Sequence, residues 1–144
     1  MRRNLLAVLI VLFSIPSSSG AVPASPLIVS AIQLISTPEK FDGKSVAVIG
    51  YLRLESPEGL LLYLHKEDYD HVILSNALWV DATKDMLNNR EKLALKYVRI
   101  VGTFRAGDEK RNLYAPGGIT DIITCRFWSD PANPLENQIK SSHE

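Results

Sequence analysis

Cysteine is nearly absent from this chain, which has a single one, Cys125, among 144 residues. One cysteine excludes an internal disulfide framework and any zinc or iron–sulfur site built from several cysteines. A surplus of either charge is also lacking, since 16 Lys and Arg residues balance 16 Asp and Glu residues. A protein that coats DNA or RNA would be basic, so the charge balance argues against a nucleic-acid partner.

The sequence motifs of several common enzyme classes are missing too. The chain has no Gly-x-Ser-x-Gly nucleophile elbow, no P-loop and no dinucleotide-binding fingerprint. Cys125 lies in a predicted β-strand, where a buried and inert thiol is the ordinary situation. Because no nucleophile and base are recognisable as a pair, the sequence favours a non-catalytic protein.

The composition that remains is that of one ordinary globular domain. With 46% hydrophobic and 22% charged residues, the chain is neither wholly disordered nor a coiled coil. Its length is sufficient to bury a single core without disulfides or metal.

The first 21 residues have the pattern of a cleavable secretory signal. Arg2 and Arg3 precede an apolar run over residues 5–13, and small residues follow up to Ala21, after which we expect cleavage. The apolar run is short for a permanent transmembrane helix, which favours cleavage. The alternative is that the segment is retained as a membrane anchor. The mature protein would be periplasmic or secreted, without a stable membrane span. It would be mildly acidic, because the leader contains two basic residues and no acidic one.

The mature chain is expected to have three parts. Residues 22–26 form a flexible lead-in, and residues 27–128 form the folded domain. Residues 129–144 form a disordered tail, because this stretch contains two prolines and no apolar periodicity.

Two segments of the folded part share one pattern, which predicts two β-strands. Residues 44–53 read K-S-V-A-V-I-G-Y-L-R, and residues 96–105 read K-Y-V-R-I-V-G-T-F-R. In each segment the alternate apolar residues fall on one face. Glycine weakens a strand, so Gly50 and Gly102 indicate a bulge, a bend or the close approach of another backbone.

Further elements are predicted between and after these two strands. Short strands are expected at 60–64, 77–81 and 119–127, with a helix at 84–95 and helical turns near 30–34. The resulting order, three strands, a helix and two strands, resembles the OB-fold, a five-stranded Greek-key barrel. We therefore predict a mainly β, OB-like barrel with its helix between strands three and four.

Three stretches carry a narrower resemblance. They read T-P-E-K-F-D-G-K, L-Y-L-H-K-E-D-Y-D-H and N-A-L-W-V-D, and they resemble an uncharacterised family of exported bacterial proteins. The resemblance implies an OB-like domain and export, and it implies no reaction. Function must therefore be argued from a site.

Aromatic and arginine side chains occupy the polar positions of the predicted strands. OB barrels commonly bind ligands on the sheet around the second and third strands, where aromatic rings stack on the ligand. Such a surface suits an oligosaccharide, a peptide or a nucleotide-like ligand. Alternatively the rings fill the core, where large aromatics are more often found. The candidate ligand-binding residues are Tyr51, Arg53, Tyr63 and Trp79.

A cluster of histidines and carboxylates at residues 65–71 is the candidate metal site. In a helical turn, each histidine would lie three or four residues from a carboxylate, and both groups are common ligands of divalent metals. The alternative is a solvated acidic turn in which Tyr69 packs against the barrel, since no short metal motif is present. The candidate ligands are His65, Glu67, Asp68 and His71.

The sequence thus predicts an exported, non-catalytic OB-like module that binds a small ligand or an envelope protein. Two alternatives stay open. One is an envelope assembly or structural factor that accepts a partner's strand at an exposed edge. The other is an exported enzyme that uses a divalent metal at the 65–71 cluster, and no other cofactor is expected.

Overall fold

The computed structural model describes residues 25–55, 60–107 and 115–128. The predicted signal at 1–21, most of the lead-in and the tail predicted at 129–144 lie outside these residues. Among the helices that are described, none combines the length and the hydropathy needed to cross a bilayer.

Short strands and helices make up the described chain. The strands are β1 (Leu27–Ile28), β2 (Ser45–Arg53), β3 (Leu61–Tyr63), β4 (Ala77–Val80), β5 (Lys96–Ala106) and β6 (Gly117–Phe127). The helices are α1 (Ala31–Ser36), α2 (Lys66–Asp70), α3 (Lys84–Asn88) and α4 (Arg90–Leu93), and 3-10 turns lie at Pro38–Lys40 and Leu74–Asn76.

Strands β2 to β6 close into a barrel. Strand β2 pairs antiparallel with β3 and with β5, β3 pairs antiparallel with β4, and β5 pairs antiparallel with β6. A short parallel pairing of β4 with β6 completes the ring, whose order is β2-β3-β4-β6-β5. This is the strand order of the OB-fold, with α3 and α4 between its third and fourth strands. The predicted fold is confirmed, and β1 is an extra strand, parallel to β2.

The barrel interior contains the apolar faces that the two similar segments predicted. Val46, Val48 and Leu52 of β2 meet Val98 and Ile100 of β5, and all five are fully buried. The helices close the ends of this core with one or two apolar side chains each: Ala31 and Leu34 of α1, Met86 of α3 and Leu93 of α4.

Residues 84–95 form two short helices instead of the single helix predicted. Thr83 caps α3, its hydroxyl oxygen accepting a hydrogen bond from the Met86 amide at 3.3 Å. The Asn89 side-chain amide donates to the Asp85 carbonyl at 3.0 Å, and α3 ends there. This local hydrogen bond competes with helix continuation, as is common for asparagine.

The two strand glycines lie where other backbones approach closely. A Cβ atom at Gly50 would lie 2.6 Å from the Tyr63 carbonyl oxygen, and one at Gly102 would lie 2.7 Å from the Thr120 carbonyl oxygen. The register of β5 against β6 also shifts between Val101 and Thr103. Both glycines therefore act as the sequence predicted, by admitting a neighbouring strand, and Gly102 also lies at a bulge.

Replacing Gly102 by alanine is expected to destabilise the barrel by about 1–3 kcal/mol, because the added methyl group meets backbone that cannot yield freely. Chemical denaturation of both proteins measures the change in the free energy of unfolding. Arg105→Ala, at an exposed position of the same strand, is the control and should change it by less than about 0.5 kcal/mol. Equal stability of Gly102→Ala and the parent would contradict the close approach.

Candidate functional site

The outer surface of the barrel carries a second apolar cluster, separate from the core. Tyr63 of β3 lies opposite Tyr51 of β2, and Tyr51 lies opposite Tyr97 of β5, so three tyrosines form a row across adjacent strands. Tyr51 is 6% exposed and Tyr63 is 1% exposed. Outward-pointing rings on a barrel are normally exposed to solvent, so another element of the chain must cover this face.

Helix α2 provides the cover through one side chain. The ring centroid of Tyr69 lies 5.4 Å from that of Tyr51 and 5.7 Å from that of Tyr63. Tyr51 in turn contacts Tyr97 edge to face at 5.5 Å. These separations are those of favourable aromatic pairs. The expectation that Tyr69 packs against the barrel is confirmed.

A buried carboxylate holds the α2 segment in shape. Asp68 accepts hydrogen bonds from the His65 backbone amide at 3.0 Å and from the Asn76 side-chain amide at 2.8 Å. The Tyr97 hydroxyl accepts from the Lys66 backbone amide at 3.1 Å, which ties the start of α2 to β5. Asp68 thus links the two ends of the segment 65–76 to each other, independently of the contacts that the segment makes with the sheet.

An open cleft of about 350 Å³ lies beside α2. Within it, the Arg53 Nε atom lies 3.7 Å from a Glu55 carboxylate oxygen, and the Tyr69 hydroxyl donates to the other Glu55 oxygen at 3.5 Å. The Nε atom is buried and makes no hydrogen bond with any described residue. The cleft is lined by Arg53, Glu55, Tyr63, Tyr69, Asp70 and Val72.

Charges around the cleft nearly balance. Its one arginine faces the carboxylates of Glu55 and Asp70, and Lys66 forms an ion pair with Asp70. The hydrogen bond to Asp70 raises the pKa of Lys66. Burial raises the pKa of Tyr51, against the opposing effect of the Lys66 charge, so this phenol stays neutral near neutral pH. The cleft offers donors and acceptors instead of a net charge.

The structure brings two of the four predicted ligand-binding residues to this cleft, Arg53 and Tyr63. Tyr51 lies under Tyr69, and the Trp79 ring lies over Gly118, where a Cβ atom would collide with it. Because α2 covers the aromatic row, Tyr51 and Tyr63 do not present open ring faces for stacking. Whether the four residues bind a ligand stays a prediction.

The predicted metal ligands are not assembled into one coordination site. Asp68 is engaged by two hydrogen-bond donors, and Nδ1 of His71 lies 2.9 Å from the Glu67 carbonyl oxygen. Across residues 25–55, 60–107 and 115–128, no group of three or more His, Cys, Asp or Glu side chains is placed to hold a metal ion. The geometry gives the predicted site at His65, Glu67, Asp68 and His71 no support.

Sequence reasoning missed three residues of the cleft, Glu55, Asp70 and Val72. Val72 has a φ of 54°, a conformation that β-branched residues rarely adopt. No sequence signal marks such a turn, since glycine or asparagine would be expected in it. The carboxylates gave a weak signal, because Glu55 is two residues after the predicted Arg53 and Asp70 directly precedes the predicted His71.

Cys125 lies away from this site, half-buried against the barrel core. Burial raises the pKa of its thiol to about 11. The thiolate, which is the nucleophilic form, is therefore scarce near neutral pH.

Comparisons with known proteins add little to this geometry. No protein-family model matches the sequence, and no curated protein matches it. Among solved structures, the S. pombe Stn1–Ten1 complex is similar at 16% identity, covering 85% of this chain and 94% of that chain, with a TM-score of 0.44. The telomere capping protein Ten1 from S. pombe is 16% identical, covering 83% of this chain and 97% of its own, with a TM-score of 0.42.

A DUF3299 family protein from Pseudomonas aeruginosa PAO1 is 14% identical, covering 74% of this chain and 99% of its own, with a TM-score of 0.43. Similarities at this level carry no argument about function. The fold assignment depends on the strand order of this barrel itself.

Replacing Asp68 by alanine is expected to destabilise the protein by about 1–3 kcal/mol, because two hydrogen-bond donors lose their acceptor. Thermal and chemical denaturation measure the change. Glu67→Ala is the matched control, since the neighbouring carboxylate is exposed and should be nearly neutral. If both variants are as stable as the parent, Asp68 does not organise α2.

Proposed function

We propose that this protein is an exported, non-catalytic OB-like binding module of the bacterial type that its sequence stretches resemble. Its ligand is a small polar molecule or a polar segment of an envelope protein, and it binds in the cleft beside α2. The observation that carries the proposal is the cleft itself, where a buried arginine Nε, two carboxylates and two tyrosines converge.

The size and chemistry of the cleft support a small polar ligand. Ligand pockets commonly measure about 300–1,000 Å³, and this cleft falls at the lower end of that range. Arg53 supplies donors, while Glu55 and Asp70 supply acceptors, so a sugar ring or a peptide segment can be matched at both. A nucleic-acid strand is disfavoured, because its phosphates would approach the two carboxylates.

Export follows from the leader at residues 1–21. The expected mature protein begins at Val22, which intact-mass measurement of the protein recovered from the periplasm or the medium will detect. The control is the cytoplasmic fraction of cells that express the chain without residues 2–21. Recovery of the full precursor in the membrane fraction would show a retained anchor instead.

A second function, envelope assembly by strand addition, is favoured by the position of β1. This two-residue strand ends the sheet order and pairs on one side with β2. A partner strand could pair with its other side. The cleft and the β1 edge lie on different elements, so one experiment can separate the two functions.

Site-specific photo-crosslinking in the native envelope makes that test. A benzophenone side chain placed at Val72, in the cleft, is expected to give an adduct, and Arg53→Ala should abolish that adduct. A benzophenone placed at the exposed Lys92 of α4 is the control and should give no adduct. Soluble sugars and peptides added in excess should compete with the adduct if they occupy the cleft. Adducts at Leu27 of β1 alone would favour strand addition and contradict binding in the cleft.

A further inference from the structure

A second outward face of the barrel lies beyond α2, on β1, β2, β5 and β6. Strand pairing places Ile49 opposite Arg99, and Arg99 opposite Arg126. In the adjacent row, Ile28 lies opposite Ala47, which lies opposite Val101. Directly opposite residues share a face of the sheet, so isoleucine and arginine side chains emerge together here. We call this surface the arginine face.

The two arginines form a like-charge pair across neighbouring strands. Directly opposite side chains have Cβ atoms about 5 Å apart, and like charges at that separation are destabilising. Neither guanidinium forms an ion pair with a described acidic residue, although the chain contains 16 acids. A single oxyanion between Arg99 and Arg126 would remove the repulsion, and arginine binds phosphate groups well because of its planar donors.

Isoleucines protrude from the same region. Ile28 is 85% exposed, Ile49 is 37% exposed, and Ile123, which directly precedes Thr124 in β6, is 73% exposed. Ile122 packs against the core, so the adjacent Ile123 points outward, beside Thr124, which lies opposite Val101. The surface therefore combines three exposed isoleucines with two arginines that have no acidic partner among the described residues, and such mixed apolar and cationic patches are typical of interaction sites.

The outer surface of a closed barrel is convex, which limits what can cover this face. A rigid protein partner would need a matching concave surface and a buried area of about 800 Å² for a stable complex. A bilayer adapts to a few protruding side chains, and its anionic headgroups supply the oxyanions. The charge complementarity therefore favours a lipid surface over a folded partner.

We propose that the arginine face docks on an anionic phospholipid surface. Arg99 and Arg126 bind lipid phosphates, and Ile28, Ile49 and Ile123 enter the boundary between headgroups and acyl chains. The contact is peripheral and weak, because only two basic residues contribute to it. It is independent of the cleft beside α2, so a membrane-docked module would keep its ligand site accessible.

Vesicle co-sedimentation of the purified mature protein tests the proposal. We expect binding to phosphatidylglycerol–phosphatidylcholine vesicles at low salt, weaker binding at high salt and little binding to phosphatidylcholine alone. Arg99→Gln with Arg126→Gln should weaken binding about tenfold or more. The matched control, Lys84→Gln with Lys92→Gln, removes two charges from α3 and α4 and should change binding less than twofold.

A second variant and a stability measurement separate docking from folding. Ile28→Ser leaves both arginines in place and should weaken vesicle binding severalfold, because it removes an inserted side chain. The arginine double variant should unfold at the same or a higher temperature than the parent, since it relieves the like-charge pair. Weakened binding with a lowered unfolding temperature would point to misfolding and overturn the assignment.

Other outcomes assign the face to another occupant. Tighter binding to a polyglutamate peptide or an oligonucleotide than to anionic vesicles would overturn lipid docking. Millimolar inorganic phosphate that shifts the Arg99 and Arg126 side-chain resonances, without vesicle binding, would indicate a soluble oxyanion. No binding to any of these probes, or vesicle binding that the arginine variant leaves unchanged, would also overturn the proposal.

Discussion

Close backbone approach at two glycines is the constraint on which this barrel depends. Strand β2 pairs with β5 along its length and with β3 at its end, and β5 also pairs with β6, so both long strands must bend between partners. The carbonyl of Tyr63 occupies the space beside Gly50, and that of Thr120 occupies the space beside Gly102. Without those approaches the sheet could not curve enough to join β4 to β6.

Barrel closure in turn creates two different outer surfaces. At the end of β2, the tyrosine row is covered by α2, which leaves a polar cleft beside Arg53 and Glu55. Two residues before Tyr51 in β2, Ile49 is 37% exposed and lies opposite the half-buried Arg99 of β5. One strand thus contributes to both proposed surfaces, to the ligand cleft with one part of its outer face and to the arginine face with another.

Much of the fold could be predicted from the sequence, because its signals are local. Alternating apolar residues and a late glycine mark β2 and β5, and the order of elements then favours one barrel topology. The extra strand β1 gave no signal, since two residues are too short for periodicity. The single helix predicted at 84–95 was wrong in detail, because Asn89 bonds to the backbone of α3.

The candidate site was predicted only in part, because it depends on contacts between distant segments. The sequence indicated Arg53 and Tyr63 as polar-side residues of strands, and both line the cleft. It could not show which ring Tyr69 would cover, or that Asp68 would accept a hydrogen bond from Asn76. The turn at Val72 was hidden as well, since its left-handed backbone is unfavourable for valine.

The bonds of Asp68 also affect how the protein fluctuates. They join His65, before α2, to Asn76, after it, while Tyr69 and Leu74 pack against the tyrosine row and the Tyr97 hydroxyl bonds to the Lys66 amide. Because these bonds link its two ends, we expect the segment to open as one cooperative unit, at a lower free energy than global unfolding. Its amide protons would then exchange together and faster than those of β2 and β5.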